Sequence, residues 1–130
     1  MRRLLRLALP LGVILSLSCD SGPKDGEVVV ALDTPSQDLG AIAFTLNALG
    51  PEVIDTVTAA CGGCRVDLRR RSAKQVDGVV TGPLVSGALL RVAVSNRKLP
   101  QAYVAEALQA ARRDYALVSV TTITLETRPQ

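Results

Sequence analysis

The sequence predicts an all-β chain folded as an antiparallel β-sandwich, and three observations predict it. About six or seven short runs rich in Val, Ile, Leu and Thr recur at intervals of roughly 8–15 residues. Polar turns bearing Gly, Pro, Asn and Asp separate them. The chain has 130 residues, enough for one hydrophobic core between two sheets and too few for a second domain.

The amino-terminal segment stands outside that pattern. Arg2, Arg3 and Arg6 form a basic start, Leu7 to Leu17 an apolar run interrupted by Pro10 and Gly12, and Ser16-Leu17-Ser18-Cys19 a small-residue end. This is the layout of a cleaved secretory signal helix over residues 1–18. The run is too short to span a membrane, which takes about 20 apolar residues. Ser16-Leu17-Ser18-Cys19 resembles the lipobox of bacterial lipoproteins, although the family usually has Leu where this chain has Ser16. The resemblance implies cleavage before Cys19, acylation of that cysteine, and a protein held on a membrane of the cell envelope by lipid without spanning it. Asp20 follows directly; in enteric bacteria an Asp there favours retention at the inner membrane. Residues 19–26 then read as the acylated cysteine and a short polar tether, and residues 27–130 as the sandwich domain.

The strands of that domain follow in order. Val28 to Leu32 is apolar and β-branched, and Asp33 to Gly40 is a loop. Ala41 to Leu46 alternates, with Ile42, Phe44 and Leu46 on one face. Gly50-Pro51 turns the chain into Val53 to Ala60. Arg65 to Arg71 places Val66 and Leu68 opposite Arg65, Asp67 and Arg69. Val76 to Thr81 and Ala88 to Ser95 follow, the latter with Leu90, Val92 and Val94 facing away from Leu89, Arg91 and Ala93. Val118 to Thr127 is the last strand. One segment disagrees: Val104, Ala107, Leu108 and Ala111 have helical spacing within residues 101–114, among strong helix formers.

Three cysteines are an odd number for an exported chain, but an acylated Cys19 leaves the pair Cys61-Gly62-Gly63-Cys64. In an oxidising compartment a disulfide is the default. Gly-Gly also fits a two-residue hairpin loop, so the expectation is a bond across a hairpin neck that fixes strand register. A thiol-disulfide function for Cys61 and Cys64 is the alternative; it wants a helix after the pair, and Arg65-Val66-Asp67-Leu68-Arg69 alternates as a strand. Intermolecular pairing and a metal site stay open, the latter with two thiolates and no histidine.

Composition closes other function classes. With no histidine there is no Ser-His-Asp or Cys-His catalysis, and no Ser sits in a nucleophile elbow, so no catalytic residue is expected. Phe44, Tyr103 and Tyr115 are the only aromatics, too few for a base-stacking or sugar-stacking platform. Removing residues 1–18 takes Arg2, Arg3 and Arg6 from 15 basic residues and leaves 12 against 12 acidic ones. The basic balance therefore belongs to the signal, and no electrostatic case for nucleic acid remains. Asp33, Asp38 and Asp55 could supply calcium oxygens but lack EF-hand spacing, so neither metal nor cofactor is expected. Arg69-Arg70-Arg71 with Lys74 reads as a charged strand edge that discourages aggregation, or as a contact for anionic lipid headgroups or an acidic partner.

Val28-Val29-Val30-Ala31-Leu32 runs into Thr34-Pro35, then Leu39-Gly40-Ala41-Ile42-Ala43-Phe44-Thr45-Leu46 into Gly50-Pro51; later Gly82-Pro83-Leu84 precedes Gly87-Ala88-Leu89-Leu90-Arg91-Val92. This order is similar to cohesin-like domains, jelly-roll sandwiches related to some carbohydrate-binding modules. The resemblance covers about residues 27–127 and implies that the segment from Tyr103 to Arg112 is a strand. It also implies binding of a protein or glycan rather than catalysis, since cohesins grip their partner modules with one sheet face.

Overall fold

A computed structural model describes residues 22–130. Residues 1–18, Cys19 and Asp20 lie outside the described residues. Among the described residues nine strands form: β1 (Gly26–Asp33), β2 (Leu39–Ala48), β3 (Ile54–Ala59), β4 (Arg65–Ser72), β5 (Gln75–Leu84), β6 (Gly87–Val94), β7 (Tyr103–Arg112), β8 (Leu117–Val118) and β9 (Thr124–Pro129). They make two sheets, β3-β6-β1-β9 and β4-β5-β2-β7-β8, with every pairing antiparallel. The expected all-β sandwich is the observed one.

The core lies between the sheets. Val28, Val30 and Leu32 of β1, with Leu90, Val92 and Val94 of β6, face Ile42, Phe44 and Leu46 of β2 and Val76 and Val80 of β5. Each set follows the period-two alternation of a strand with one buried face. Gly78 of β5 pairs with Phe44 and leaves room for its ring: a Cβ there would stand 2.7 Å from Phe44 Cζ.

The alternation shifts phase at bulges. β2 runs Ala43↔Gln109 and then Phe44↔Ala107 against β7, so Leu108 is an extra residue in the ladder. The inward set of β7 is therefore Tyr103, Ala105, Ala107 and then Ala110, a step of three. The residues at helical spacing, Val104, Ala107, Leu108 and Ala111, do not share a buried face: Val104 and Leu108 are exposed while Ala107 turns inward. The segment is a strand, as the resemblance implies, with Leu108 exposed and Ala110 buried. A second bulge, opposite Val30 and Ala31, makes Leu89 the extra residue of β6. Leu89 is therefore buried beside Leu90 and does not face out with Arg91, as strict alternation predicts.

Two expectations need correction. The Cys61–Cys64 turn is not a hairpin neck: β3 lies in the four-stranded sheet and β4 in the five-stranded one, so the turn carries the chain between sheets. Turn residues say that a chain reverses, not which sheet receives it. The expected last strand, Val118 to Thr127, is broken. Leu117–Val118 closes against β7, a 3-10 turn spans Val120–Thr122, and Thr124–Pro129 joins β1 in the other sheet. Among the described strands, consecutive ones pair only in β4–β5 and β7–β8.

One end of the sandwich gathers the start of β1 with the loops after β2 and β6. There the buried Tyr103 hydroxyl accepts the Asn96 N–H at 3.0 Å, and Ser95 Oγ accepts from Val53 N–H while donating to Glu52 Oε2. The opposite end carries the Cys61–Cys64 turn.

Candidate interaction surface

Every side chain that bears on binding is set by the alternation just described. With Ile42, Phe44 and Leu46 buried, β2 turns Ala41, Ala43, Thr45 and Asn47 outward. The register sets Ala43 beside Val79 of β5 and Gln109 of β7, and Ala41 beside Thr81 and Ala111. Small residues on the central strand and larger ones on its flanks make a trough across the five-stranded sheet. Val79, Val104, Leu108 and Leu117 stand exposed on this face, Leu108 at 55% and Leu117 at 72%. Three open depressions of about 550, 230 and 400 Å³ lie along it, two sharing Ala41 and Ala111 and two sharing Ala43 and Val79.

The two ends of the trough differ. At one, Tyr115 is 90% exposed and holds a φ of 70°. A bulky residue in the left-handed region is uncommon. It is held there by its own N–H donating to Arg112 O, Arg112 N–H donating to Ala116 O, and Ala116 N–H donating to Asp114 Oδ1. Tyr115 shares the largest depression with Ala41, Pro83, Ala111, Arg112 and Arg113. At the other end Asp77 accepts Arg71 Nε at 2.7 Å, Thr45 Oγ1 at 2.8 Å and Gln75 Nε2 at 3.4 Å. Arg71 and then Thr45 hold its carboxyl below the usual range, against a smaller opposing effect of desolvation. That end is polar and internally satisfied; the apolar stretch lies between.

Cys61 and Cys64 are joined by a disulfide, with their Cα atoms 5.5 Å apart, at the top of the sandwich away from the start of β1. The turn rests on β5: a Cβ on Gly82 would stand 2.8 Å from Gly63 O, and Pro83 lies against Gly63. Both sulfurs pack partly against the core. Arg69, Arg70 and Arg71 lie on edge strand β4, as the edge reading expects. Arg70 reaches across to donate to the carbonyls of Ile54 and Asp55 on β3, which ties the two sheets together, while Arg71 is held by Asp77. Asp33 ends β1, Asp38 stands in the following loop and Asp55 lies at the far end on β3; among the described residues no three His, Cys, Asp or Glu side chains gather as a metal site. Phe44 and Tyr103 are 1% exposed, so Tyr115 alone of the three aromatics reaches the surface. Among the described residues no helix is long and apolar enough to cross a membrane.

The apolar outer face is the feature that residue-by-residue reading misses. Its signal was present: Ala41, Ala43, Val79, Val104 and Ala111 occupy positions where a solvent-facing strand carries charge.

No family model matches the chain, and no curated protein matches it in sequence. Its fold is similar to that of a solved structure, a non-cellulosomal cohesin from the hyperthermophilic archaeon Archaeoglobus fulgidus. The TM-score is 0.59 at 15% sequence identity, over 75% of this chain and 74% of that one. The chain thus has a cohesin-like β-sandwich fold.

Proposed function

We propose that this chain is a non-catalytic protein-binding module, carried on a membrane by an acylated Cys19, whose partner docks on the outer face of the five-stranded sheet. The carrying observation is the exposed row of Val79, Leu108 and Leu117 around Ala41 and Ala43. Apolar surface gathered on one sheet face marks an interaction site. The cohesin-like fold supports a protein partner, and the single exposed aromatic disfavours a glycan. The lipobox-like residues support the anchor and a place in the cell envelope. The thiol-disulfide alternative has less behind it: strand β4 follows Cys64, and among the described residues no helix starts at the pair to lower a thiol pKa.

The test is to isolate the protein with its partner from native membranes in mild detergent. The double substitution Leu108→Glu/Leu117→Glu is expected to release the partner while unfolding stability stays within about 0.5 kcal/mol, as for other surface changes. Full retention of the partner would overturn the proposal.

A further inference from the structure

The end of the sandwich where β1 starts has the composition of a bilayer contact. Leu49 is 54% exposed and Leu99 is 40% exposed there. They project from neighbouring loops: Leu49 N–H donates to Ala102 O at 2.8 Å, and Ala102 N–H donates to Leu99 O at 3.0 Å. Lys24, Lys74, Arg97 and Lys98, all exposed, surround them. Lys74 is placed by its backbone carbonyl, which accepts Ala48 N–H, and its ammonium donates to Gly50 O beside Leu49. Asp25 and Glu27 line a cleft with Arg97 and Lys98, and Glu52 and Asp55 also lie at this end, so Lys24, Lys74, Arg97 and Lys98 ring the two leucines among four acids.

The chain is fastened to that same end. Arg97 N–H donates to Lys24 O at 2.8 Å, and Lys98 Nζ donates to Gly22 O at 2.9 Å. Gly26 has no Cβ, and the aliphatic stem of Arg97 occupies that space. The chain from Gly22 onward is therefore pinned along the domain. Cys19 lies three residues before Gly22, a reach of at most about 10 Å. An acyl group on Cys19 would bring this end, and no other, against the headgroups.

We propose that Leu49 and Leu99 enter the interface of an anionic bilayer while Lys24, Lys74, Arg97 and Lys98 contact its headgroups. The anchored domain would then stand with its tether end down and the trough of the five-stranded sheet accessible. This rests on the acylation reading above. Apolar tips ringed by cations are the side-chain chemistry of interfacial membrane binding.

The chain contains no tryptophan, so one introduced indole is a unique reporter. Full-length protein carrying Leu99→Trp, Leu49→Trp or, as a control at the far end, Leu117→Trp is extracted from native membranes. Its intact mass is measured, and it is reconstituted into phosphatidylethanolamine–phosphatidylglycerol vesicles containing brominated lipid. The proposal expects blue-shifted, bromolipid-quenched emission from Leu49→Trp and Leu99→Trp and none from Leu117→Trp. With a Cys19→Ser chain, Lys24→Gln and Lys74→Gln should each lower partitioning onto these vesicles by about fivefold. Acylated protein with unquenched indoles at both leucine positions would overturn the docking and leave the anchor standing. Unacylated protein would overturn the anchor; quenching in that chain still supports the docking, and its absence overturns it.

Discussion

The two outer faces of the sandwich are built on the same antiparallel ladder and carry opposite surfaces. The four-stranded sheet turns Glu27, Thr56, Thr58, Arg91 and Arg128 to solvent. The five-stranded sheet turns out Ala41, Ala43, Val79, Leu108 and Leu117. None of the large exposed hydrophobics lies on a strand of the four-stranded sheet. Both sheets bury comparable inner faces, so the core does not call for the difference. An antiparallel sheet can face water with alternating polar residues, and one sheet here does so while the other does not. Under the proposed function, the difference marks the face on which the partner docks.

The core that both faces share is where substitutions cost most. Phe44→Ala should destabilise the domain by about 3–5 kcal/mol in chemical denaturation, because Gly78 opposite leaves the ring's space unfilled by any other side chain. Gly82→Ala should cost about 1–3 kcal/mol: φ at Gly82 is 135°, and the new Cβ would meet Gly63 O. Tyr103→Phe leaves the buried Asn96 N–H without its acceptor, a loss of about 1–3 kcal/mol. Cys61→Ser/Cys64→Ser opens a loop with a sequence separation of 3, so its cost should be about 2 kcal/mol or less. Because that turn joins different sheets, the amide chemical shifts across the β4–β5 ladder should hold, whereas a register-fixing hairpin bond would let them move.

The smallest effect is in pH dependence at the trough's polar end. The Asp77 carboxyl is lowered from 3.8, chiefly by Arg71, so its contribution to stability is present above pH 3.8 and lost as pH falls through the lower folded value. Asp77→Asn should remove that part of the acid limb and leave the neutral-pH slope unchanged. An acid limb identical in both proteins would show that the Arg71 and Thr45 contacts do not hold in solution.

The strands were legible because β-branched runs and polar turns are local signals. Val28–Leu32 and Ala41–Leu46 fall inside β1 and β2, and the alternation of Ile42, Phe44 and Leu46 against Ala41, Ala43 and Thr45 is the observed one. The destination of each strand was not legible. The Gly-Gly turn at Cys61–Cys64 looks like a hairpin because glycine serves any tight reversal, whether it stays in the sheet or leaves it; of its two glycines, only Gly63 takes a positive φ. The bulges at Leu89 and Leu108 hid themselves in the same way, since one extra residue moves every later side chain to the opposite face. The trough was half legible: Ala41 and Ala43 fall on the face of β2 opposite Ile42, Phe44 and Leu46, but their neighbours Val79 and Ala111 come from strands more than 30 residues away, brought there by register alone.

The most direct test of the central claim is a photo-crosslinking scan of both faces in native membranes. A photoreactive side chain is placed in turn at Val79 and Leu108 on one face and at Thr58 and Arg91 on the other. One discrete adduct of the same partner is expected from Val79 and Leu108 and none from Thr58 and Arg91. Equal labelling of the two faces, or an adduct confined to Thr58 and Arg91, would contradict the claim.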